Sequence, residues 1–133
     1  MQRLSGLDAT FLYLESPSQP LHVCSVLELD ASTIPGGYSF EKLRDDLAVR
    51  ITAMPEFREK LADSPFNIDH PVWVEDKDFD VERHLHRIAV PAPGGRTELA
   101  EMCGHIASLP LDRSRPLWEM CVIEGVDGTD PHA

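Results

Sequence analysis

Two histidines, His84 and His86, have the spacing in this sequence that best suits a metal-binding or proton-transfer site. Residues i and i+2 of a β-strand project from the same face, so both imidazoles could reach one metal ion or one proton-transfer site. A metal ion needs further ligands, and the nearby carboxylates of Asp78, Asp80 and Glu82 have no recognised ligand spacing. The pattern therefore favours a solvated strand edge over a metal site.

The sequence has no arrangement typical of nucleophilic catalysis. Ser114 lies between two arginines, but it is not part of the G-x-S-x-G elbow of hydrolases. Cys121 lies within an apolar run, where burial disfavours the thiolate. Cys24 and Cys103 also have apolar neighbours and are far apart in the sequence. This usage predicts three reduced core thiols rather than a disulfide framework or a zinc site.

A polar loop near the C-terminal end of the sequence brings opposite charges together. It contains Asp112, Arg113 and Arg115, followed directly by Pro116. Bidentate bonding between an arginine and the aspartate could fix this loop, because a guanidinium group matches a carboxylate in shape. Pro116 restricts the residue before it to an extended conformation. We therefore predict a structural loop that enters a strand without a helical turn.

An almost unbroken apolar run, Leu117–Ile123, follows the loop. Glu119 is its one charged residue, so both faces of a strand here would be apolar. Such strands lie inside layered α/β sheets, where helices cover both faces. We therefore predict a central strand, a substantially buried Trp118, and a strand edge that needs a further strand to pair with. The residues after Gly125 are rich in turn formers and predict a turn.

Amphipathic periodicity predicts helices that would cover such a sheet. The clearest series recurs at intervals of 3, 4, 4 and 3: Phe40, Leu43, Leu47, Ile51 and Met54. Ser39 can cap this helix, and Pro55 ends it. Ser5 with Asp8 resembles a capping box and predicts a helix over about residues 6–14. Thr97 is the predicted N-cap of a third helix.

Four segments have the character of strands or turns. Alternation predicts strands at Leu21–Leu29, Pro71–Glu75 and Leu85–Val90, and a short strand or turn at Phe57–Leu61. One helical turn is predicted over 81–84. Strands interleaved with helices indicate the α/β class.

The composition describes one acidic domain. The 133 residues include 23 acidic and 12 basic side chains, for a formal charge of −11. This charge argues against binding to nucleic acid, whose phosphates would be repelled. No run approaches the roughly 20 apolar residues of a spanning helix, and no signal peptide is visible. We therefore expect a cytoplasmic protein, with peripheral contact with the inner membrane or lipid droplets left open.

Three stretches resemble one protein family, in order and over nearly the whole chain. The stretch 110–119 (PLDRSRPLWE) resembles the loop and strand of bacterial wax ester synthase/diacylglycerol acyltransferases. The stretch 4–15 (LSGLDATFLYLE) resembles their N-terminal opening, and 78–91 (DFDVERHLHRIAVP) resembles a segment ahead of their next helix. The family's Pro-Leu-Trp motif is then Pro116, Leu117 and Trp118, for which the resemblance implies substrate binding. It also implies that the charged loop of Asp112, Arg113 and Arg115 braces the strand.

The resemblance implies an incomplete chloramphenicol-acetyltransferase-like α/β domain, with a mixed sheet covered by helices. The family transfers a fatty acyl group from acyl-CoA, a co-substrate, to diacylglycerol or a long-chain alcohol, and needs no cofactor or metal. Its general base is the second histidine of a His-His-x-x-x-Asp-Gly motif, which this sequence lacks. Residues 1–133 would be the N-terminal part of the N-terminal domain, ending before that motif. The implied partner is the remainder of the acyltransferase polypeptide, and the chain alone is expected to be inactive.

Two other interpretations remain open at this point. One is a non-catalytic binding or scaffold module with the same fold. The other is a related condensation-type acyltransferase that acts on carrier-bound acyl groups. Both would keep this front portion and differ in the residues that accompany it.

Overall fold

The computed structural model describes residues 2–16, 18–63 and 70–126. In these ranges the chain forms three α-helices and five short β-strands. The helices are α1 (Gly6–Leu14), α2 (Phe40–Thr52) and α3 (Arg96–Ser108). The strands are β1 (Gln2–Arg3), β2 (Glu59–Ala62), β3 (Val72–Glu75), β4 (Leu85–Ala89) and β5 (Met120–Glu124). The predicted α/β class is confirmed. The predicted turn after Gly125 lies outside the described residues from 127 onward.

The strands fall into two small sheets. β3 pairs antiparallel with both β1 and β2, and Leu61 lies opposite Trp73 in the second ladder. β4 and β5 pair in parallel, in a register that runs from Leu85 opposite Met120 to Ala89 opposite Glu124. Parallel neighbours need a long crossover connection, and here that connection contains α3.

Two helices begin where their caps predicted. The Ser5 hydroxyl accepts a hydrogen bond from the Asp8 amide (3.1 Å), and the Ser39 hydroxyl accepts one from the Lys42 amide (3.3 Å). The predicted Thr97 cap is wrong. α3 begins earlier, with Gly95 as an N-cap that makes no side-chain hydrogen bond.

The predicted strand over Leu21–Leu29 is wrong in the described chain. The segment is extended but belongs to neither sheet. Val23 is 97% exposed and Leu29 is 85% exposed. Alternating apolar residues favour a strand only where another strand lies alongside to take up the backbone hydrogen bonds. No described element does so here.

The predicted strand over Leu117–Ile123 has shifted bounds, because β5 begins only at Met120. The Trp118 amide donates to the Pro116 carbonyl (2.9 Å), which closes a tight turn that delays the strand. Trp118 is half-buried rather than substantially buried. β5 is likewise half-buried or exposed along its length, not covered on both faces.

The buried apolar core of the described residues is small. Its apolar members are Leu4, Ala9, Ile51, Leu85, Val90 and Leu99. Two polar residues, Asp76 and His84, are also buried. None of the helices that the structure describes has the length and apolar character needed to cross a bilayer.

Candidate functional site

His84 lies at the centre of the site, buried with 3% of its surface exposed. It follows the single helical turn Val81–Arg83, which was predicted, and directly precedes β4. Its Nδ1 atom is 2.8 Å from the Trp118 carbonyl oxygen. Because a carbonyl only accepts, Nδ1 must carry the proton of this bond. The His84 carbonyl accepts from the Met120 amide (2.8 Å), so one residue holds the chain on both sides of Glu119.

Aromatic rings surround this bond. The Trp118 ring stacks on His84 with 4.7 Å between ring centroids, and Phe79 stacks on His84 at 5.3 Å. Phe57 meets Trp118 edge-on at 5.8 Å, and the Phe57 carbonyl accepts the Trp118 indole N–H (2.8 Å). Offset and edge-on contacts of this kind stabilise aromatic clusters beyond their buried area. Trp118 is therefore fixed by ring contacts and by the hydrogen bond of its indole N–H.

The two histidines singled out by their spacing do not act as a pair. His84 is buried, so the prediction of a solvated edge is wrong for it. His86 lies within β4, half-buried, with Nε2 3.8 Å from Glu119 Oε2. The aromatic residues Phe79 and Trp118, which are the main neighbours of His84, were the sequence signal that the spacing argument overlooked. Among the described residues, no group of three or more His, Cys, Asp or Glu side chains is placed to hold a metal ion.

The Asp112 carboxylate is held mainly by Ser114 rather than by an arginine. It accepts hydrogen bonds from the Ser114 hydroxyl (2.6 Å) and amide (2.9 Å). These two bonds, in that order, lower the pKa of Asp112. Arg115 is farther away, with Nε 3.7 Å from Asp112 Oδ2. The loop thus closes through a local Asx-type turn, not through a bidentate arginine pair.

Arg113 connects this loop to the first helix. One of its guanidinium nitrogens donates to the Leu12 carbonyl (2.7 Å) and to Glu15 Oε1 (2.9 Å). Glu15 also accepts from the Leu21 amide (2.9 Å). The Leu21 bond and then the Arg113 bond lower the pKa of Glu15. A cation at the C-terminal end of α1 is further favoured by the helix dipole.

Two hollows flank the loop. The smaller one has a volume of about 10 Å³ and lies against His84, Asp112 and Arg115. This is space for about one water molecule. The larger one is an open cleft of about 300 Å³, lined by Leu12, Tyr13, Leu61, Asp63, Pro71 and Arg113. That volume lies at the lower end of the range of small-molecule sites.

A second charged network joins the β4–β5 pair to the start of α2. Arg87 Nε donates to Glu124 Oε1 (2.7 Å), and its guanidinium carbon lies 5.3 Å from the centre of the Phe40 ring. Glu41 is 3.6 Å from Arg87. Burial of the Tyr38 hydroxyl and the neighbouring Glu124 carboxylate raise the pKa of Tyr38 to about 12. This network fixes the parallel strands but lines neither hollow.

The structure places the six predicted site residues in one loop but gives them different surroundings. Pro116 is buried, whereas Leu117 and Trp118 are half-buried. Arg113 borders the larger cleft, while Asp112 and Arg115 border the smaller hollow. The contacts of this loop with His84 and Leu12 join residues far apart in sequence, so no local pattern could have revealed them.

Comparisons with known proteins agree with one another. Residues 4–130 match the family model described as the wax ester synthase/diacylglycerol acyltransferase catalytic domain. A Mycobacterium tuberculosis H37Rv protein named "putative diacylglycerol O-acyltransferase" is 66% identical over 125 residues, 94% of this chain and 25% of the relative. A "probable diacylglycerol O-acyltransferase" of the same organism is 38% identical over 94% of this chain and 45% of its own length.

A solved structure is similar as well. The wax ester synthase/diacylglycerol acyltransferase from Marinobacter aquaeolei VT8 superposes with a TM-score of 0.65 and 28% sequence identity. The match covers 96% of this chain and 30% of that protein. The chain thus spans between a quarter and just under half of the relatives described here.

Proposed function

Because the chain belongs to the wax ester synthase/diacylglycerol acyltransferase family, we propose that it is part of an O-acyltransferase. The proposed reaction moves a fatty acyl group from acyl-CoA to the hydroxyl of diacylglycerol or of a long-chain alcohol. One observation carries this proposal: the family match extends over residues 4–130, nearly the entire chain. The family resemblance seen in the sequence is confirmed, and so is the acyltransferase fold, through the solved relative.

Residues 1–133 correspond, in this proposal, to the N-terminal part of the enzyme's N-terminal domain. The match to only 25–45% of the curated relatives supports this. The sequence contains no two adjacent histidines and therefore no His-His-x-x-x-Asp-Gly motif. The remainder of the polypeptide is the proposed source of the general base, so we expect residues 1–133 alone to be inactive.

The proposed chemistry needs an imidazole and no resident cofactor or metal. The base takes the proton from the acceptor's hydroxyl group as the oxygen of that hydroxyl attacks the thioester carbonyl. The CoA thiolate then leaves and takes up a proton. An imidazole suits this step because its pKa lies near neutrality. His84 is a poor candidate for the base in the described chain, because it is buried and its ring is stacked against Phe79 and Trp118.

We propose that Pro116, Leu117 and Trp118 contribute to the wall of the substrate site. All three are apolar, and Leu117 and Trp118 are only partly covered, while Pro116 is buried. The loop that contains them is held by the bond to His84 and by the bonds of Arg113 to the first helix. Pro116 and Trp118 also border the small hollow beside His84. A fixed apolar wall favours a long acyl chain through burial of its methylene groups.

The setting of the reaction follows from its substrates. Diacylglycerol and fatty alcohols partition into bilayers and droplets, so we propose an enzyme on the cytoplasmic side that contacts such surfaces peripherally. The net charge of −11 disfavours nucleic acid as a partner.

A chimera tests the proposed function. The two mycobacterial relatives are first assayed for acyl transfer. In a relative that is active, residues 1–133 of this chain then replace the matched segment. Radiolabelled palmitoyl-CoA is then offered with dioleoylglycerol or with hexadecanol. We expect transfer to at least one acceptor within about tenfold of the parent enzyme, and none by residues 1–133 alone.

Two results would count against the proposal. A soluble chimera that binds palmitoyl-CoA but transfers nothing would favour the scaffold alternative. A chimera that accepts only carrier-bound acyl groups would favour a condensation-type enzyme.

A further inference from the structure

An extended stretch of the chain presents apolar side chains that nothing in the described structure covers. We call residues 21–29 the open segment. Val23, Leu27 and Leu29 are between 80% and 97% exposed, and Val26 is 56% exposed. Cys24 is exposed as well. These residues fall on both faces of the extended backbone, so the exposure is not the outer side of a half-buried strand.

The backbone of the open segment also has no partner among the described residues. Residues 23–29 make no backbone–backbone hydrogen bond to any described residue. The segment is nevertheless held at its first end. The Leu21 amide donates to Glu15 (2.9 Å), and His22 Nε2 lies 3.0 Å from the Ala107 carbonyl oxygen. After its last residue, Asp30 caps the short local turn Ala31–Thr33. Seven residues of strand length thus run from an anchored end to a turn, with backbone donors and acceptors that no described residue pairs with.

The β4–β5 pair shows the same incompleteness. Its two strands are parallel and form a sheet of their own within the described chain. Parallel sheets occur almost only where several strands are covered on both faces, and two strands alone are marginal. Met120, at the start of β5, is 41% exposed. Two separate regions therefore point to strands supplied from outside the described residues.

The relatives indicate where such a strand comes from. The matched part is only 25% of the first relative and 30% of the solved enzyme, so most of each polypeptide lies outside it. A second copy of this chain fits less well, because two chains of charge −11 repel each other. An added strand gives specificity through alternate side chains and affinity through backbone hydrogen bonds.

We propose that residues 23–29 form a β-strand that pairs with a strand from the part of the acyltransferase polypeptide outside the matched region. This inference rests on the proposed function, because it takes the partner from the enzyme of that family. The pairing covers Val23, Cys24 and Leu27 and joins this chain to the rest of the enzyme. The partner strand is apolar, since it must cover apolar residues, and carries no excess of acidic side chains.

Cys24 provides a reporter that needs no substitution. In the chimera described above, native and urea-unfolded protein are alkylated with iodoacetamide, and the rate at Cys24 is followed by peptide mass spectrometry. Cys24 is exposed in the structure of this chain, so any protection from alkylation in the chimera must come from the relative's part of the polypeptide. We expect at least tenfold slower alkylation at Cys24 in the native chimera than in urea.

A matched pair of variants tests the consequence. Leu27→Lys places a charge in the open segment, and Val49→Lys places the same charge on α2 at a residue 72% exposed. We expect Leu27→Lys to raise the native Cys24 alkylation rate at least fivefold and to lower acyl transfer at least tenfold. Val49→Lys should leave both within twofold.

The outcomes separate this inference from the proposed function. An active chimera in which Cys24 reacts as fast as in urea would overturn the pairing and leave the proposed function standing. A protected Cys24 in a soluble but inactive chimera would support the pairing and count against the function. Protection that appears in residues 1–133 alone, together with a dimeric elution volume, would assign the surface to a second copy and overturn the proposal.

Discussion

Two regions of this chain have a similar apolar, strand-like sequence, but only one of them is paired in a sheet of the described structure. Residues 116–124 lead into β5, which pairs with β4 and whose entrance is held by His84. The open segment is equally apolar but pairs with nothing that the structure describes. The difference shows that an apolar alternation indicates the need for a partner strand, while the location of that partner is a property of the tertiary fold.

The physical contrast lies in how each region is held. Trp118 is fixed by hydrogen bonds of its own carbonyl and indole N–H, and its ring contacts three aromatic neighbours. The open segment is held only at its first two residues, Leu21 and His22. Loss of a side chain should therefore be costly in the first region and nearly neutral in the second, for as long as the chain lacks a partner.

The largest expected effect comes from removing the Trp118 ring. Trp118→Ala should lower the free energy of unfolding by about 3 kcal/mol, because it removes a large, partly buried ring and leaves a cavity. Leu27→Ala in the open segment should change it by less than about 0.5 kcal/mol, since that side chain is 80% exposed. Urea denaturation followed by circular dichroism measures both. Equal losses of unfolding free energy in the two variants would contradict the contrast between the two regions.

A smaller effect is expected from the arginine that joins the loop to α1. Arg113→Ala should cost about 1 kcal/mol, because it removes two hydrogen bonds, to Leu12 and Glu15, from a partly exposed side chain. Arg115→Ala is the matched control, since its 3.7 Å contact with Asp112 is exposed. The same urea titration applies. A larger loss from Arg115→Ala would show that the loop is fixed through Asp112 instead.

The pH dependence of stability should distinguish the anchored end from the open segment. Hydrogen bonds from Leu21 and Arg113 lower the pKa of Glu15 in the folded chain from its ordinary 4.5. The stabilisation is therefore fully present above pH 4.5 and is lost as the pH falls through the lower folded pKa. Glu15→Gln should flatten the fall in stability below pH 4.5.

The control for this experiment lies in the open segment. Glu28 makes no hydrogen bond or ion pair to a described residue, so Glu28→Gln should leave the free energy of unfolding at neutral pH within about 0.5 kcal/mol of the parent chain. The slopes are obtained from free energies of unfolding measured between about pH 3 and pH 6, a range that includes the ordinary carboxyl pKa. Identical slopes for Glu15→Gln and the parent would contradict the assigned role of Glu15.

The smallest expected effect is a difference in thiol reactivity with no change in stability. All three cysteines are free in the structure, as predicted, but the prediction of three core thiols is wrong, because Cys24 is exposed and Cys103 and Cys121 are only half-buried. Burial, followed by the charge of Glu119, raises the pKa of Cys121. In residues 1–133, Cys24 should react with a thiol reagent several-fold faster than Cys121, because only a thiolate attacks. Titration in denaturant without reductant should count three thiols.

A count of one thiol would mean that a disulfide forms. A Cys121 as reactive as Cys24 would show that β5 is more open than its half-buried side chains indicate.

Local sequence patterns were sufficient to predict the helices that begin after Ser5 and Ser39, the α/β class and the family. Each helix cap joins atoms three residues apart, so the bond depends only on neighbouring residues. The family resemblance likewise rested on contiguous stretches such as 110–119. Local chemistry of this kind can be predicted without knowing the rest of the fold.

The residues that surround the candidate site could be identified only from the folded chain. His84 meets Trp118 across 34 positions, and Arg113 meets Leu12 across 101 positions. The tertiary structure also decided that Leu117–Glu119 stay outside β5 and that the open segment remains unpaired in the described chain. The physical reason is that backbone pairing and aromatic packing are made between distant segments. Their free energy depends on which surfaces the folded chain brings together, and no local pattern of residues specifies that.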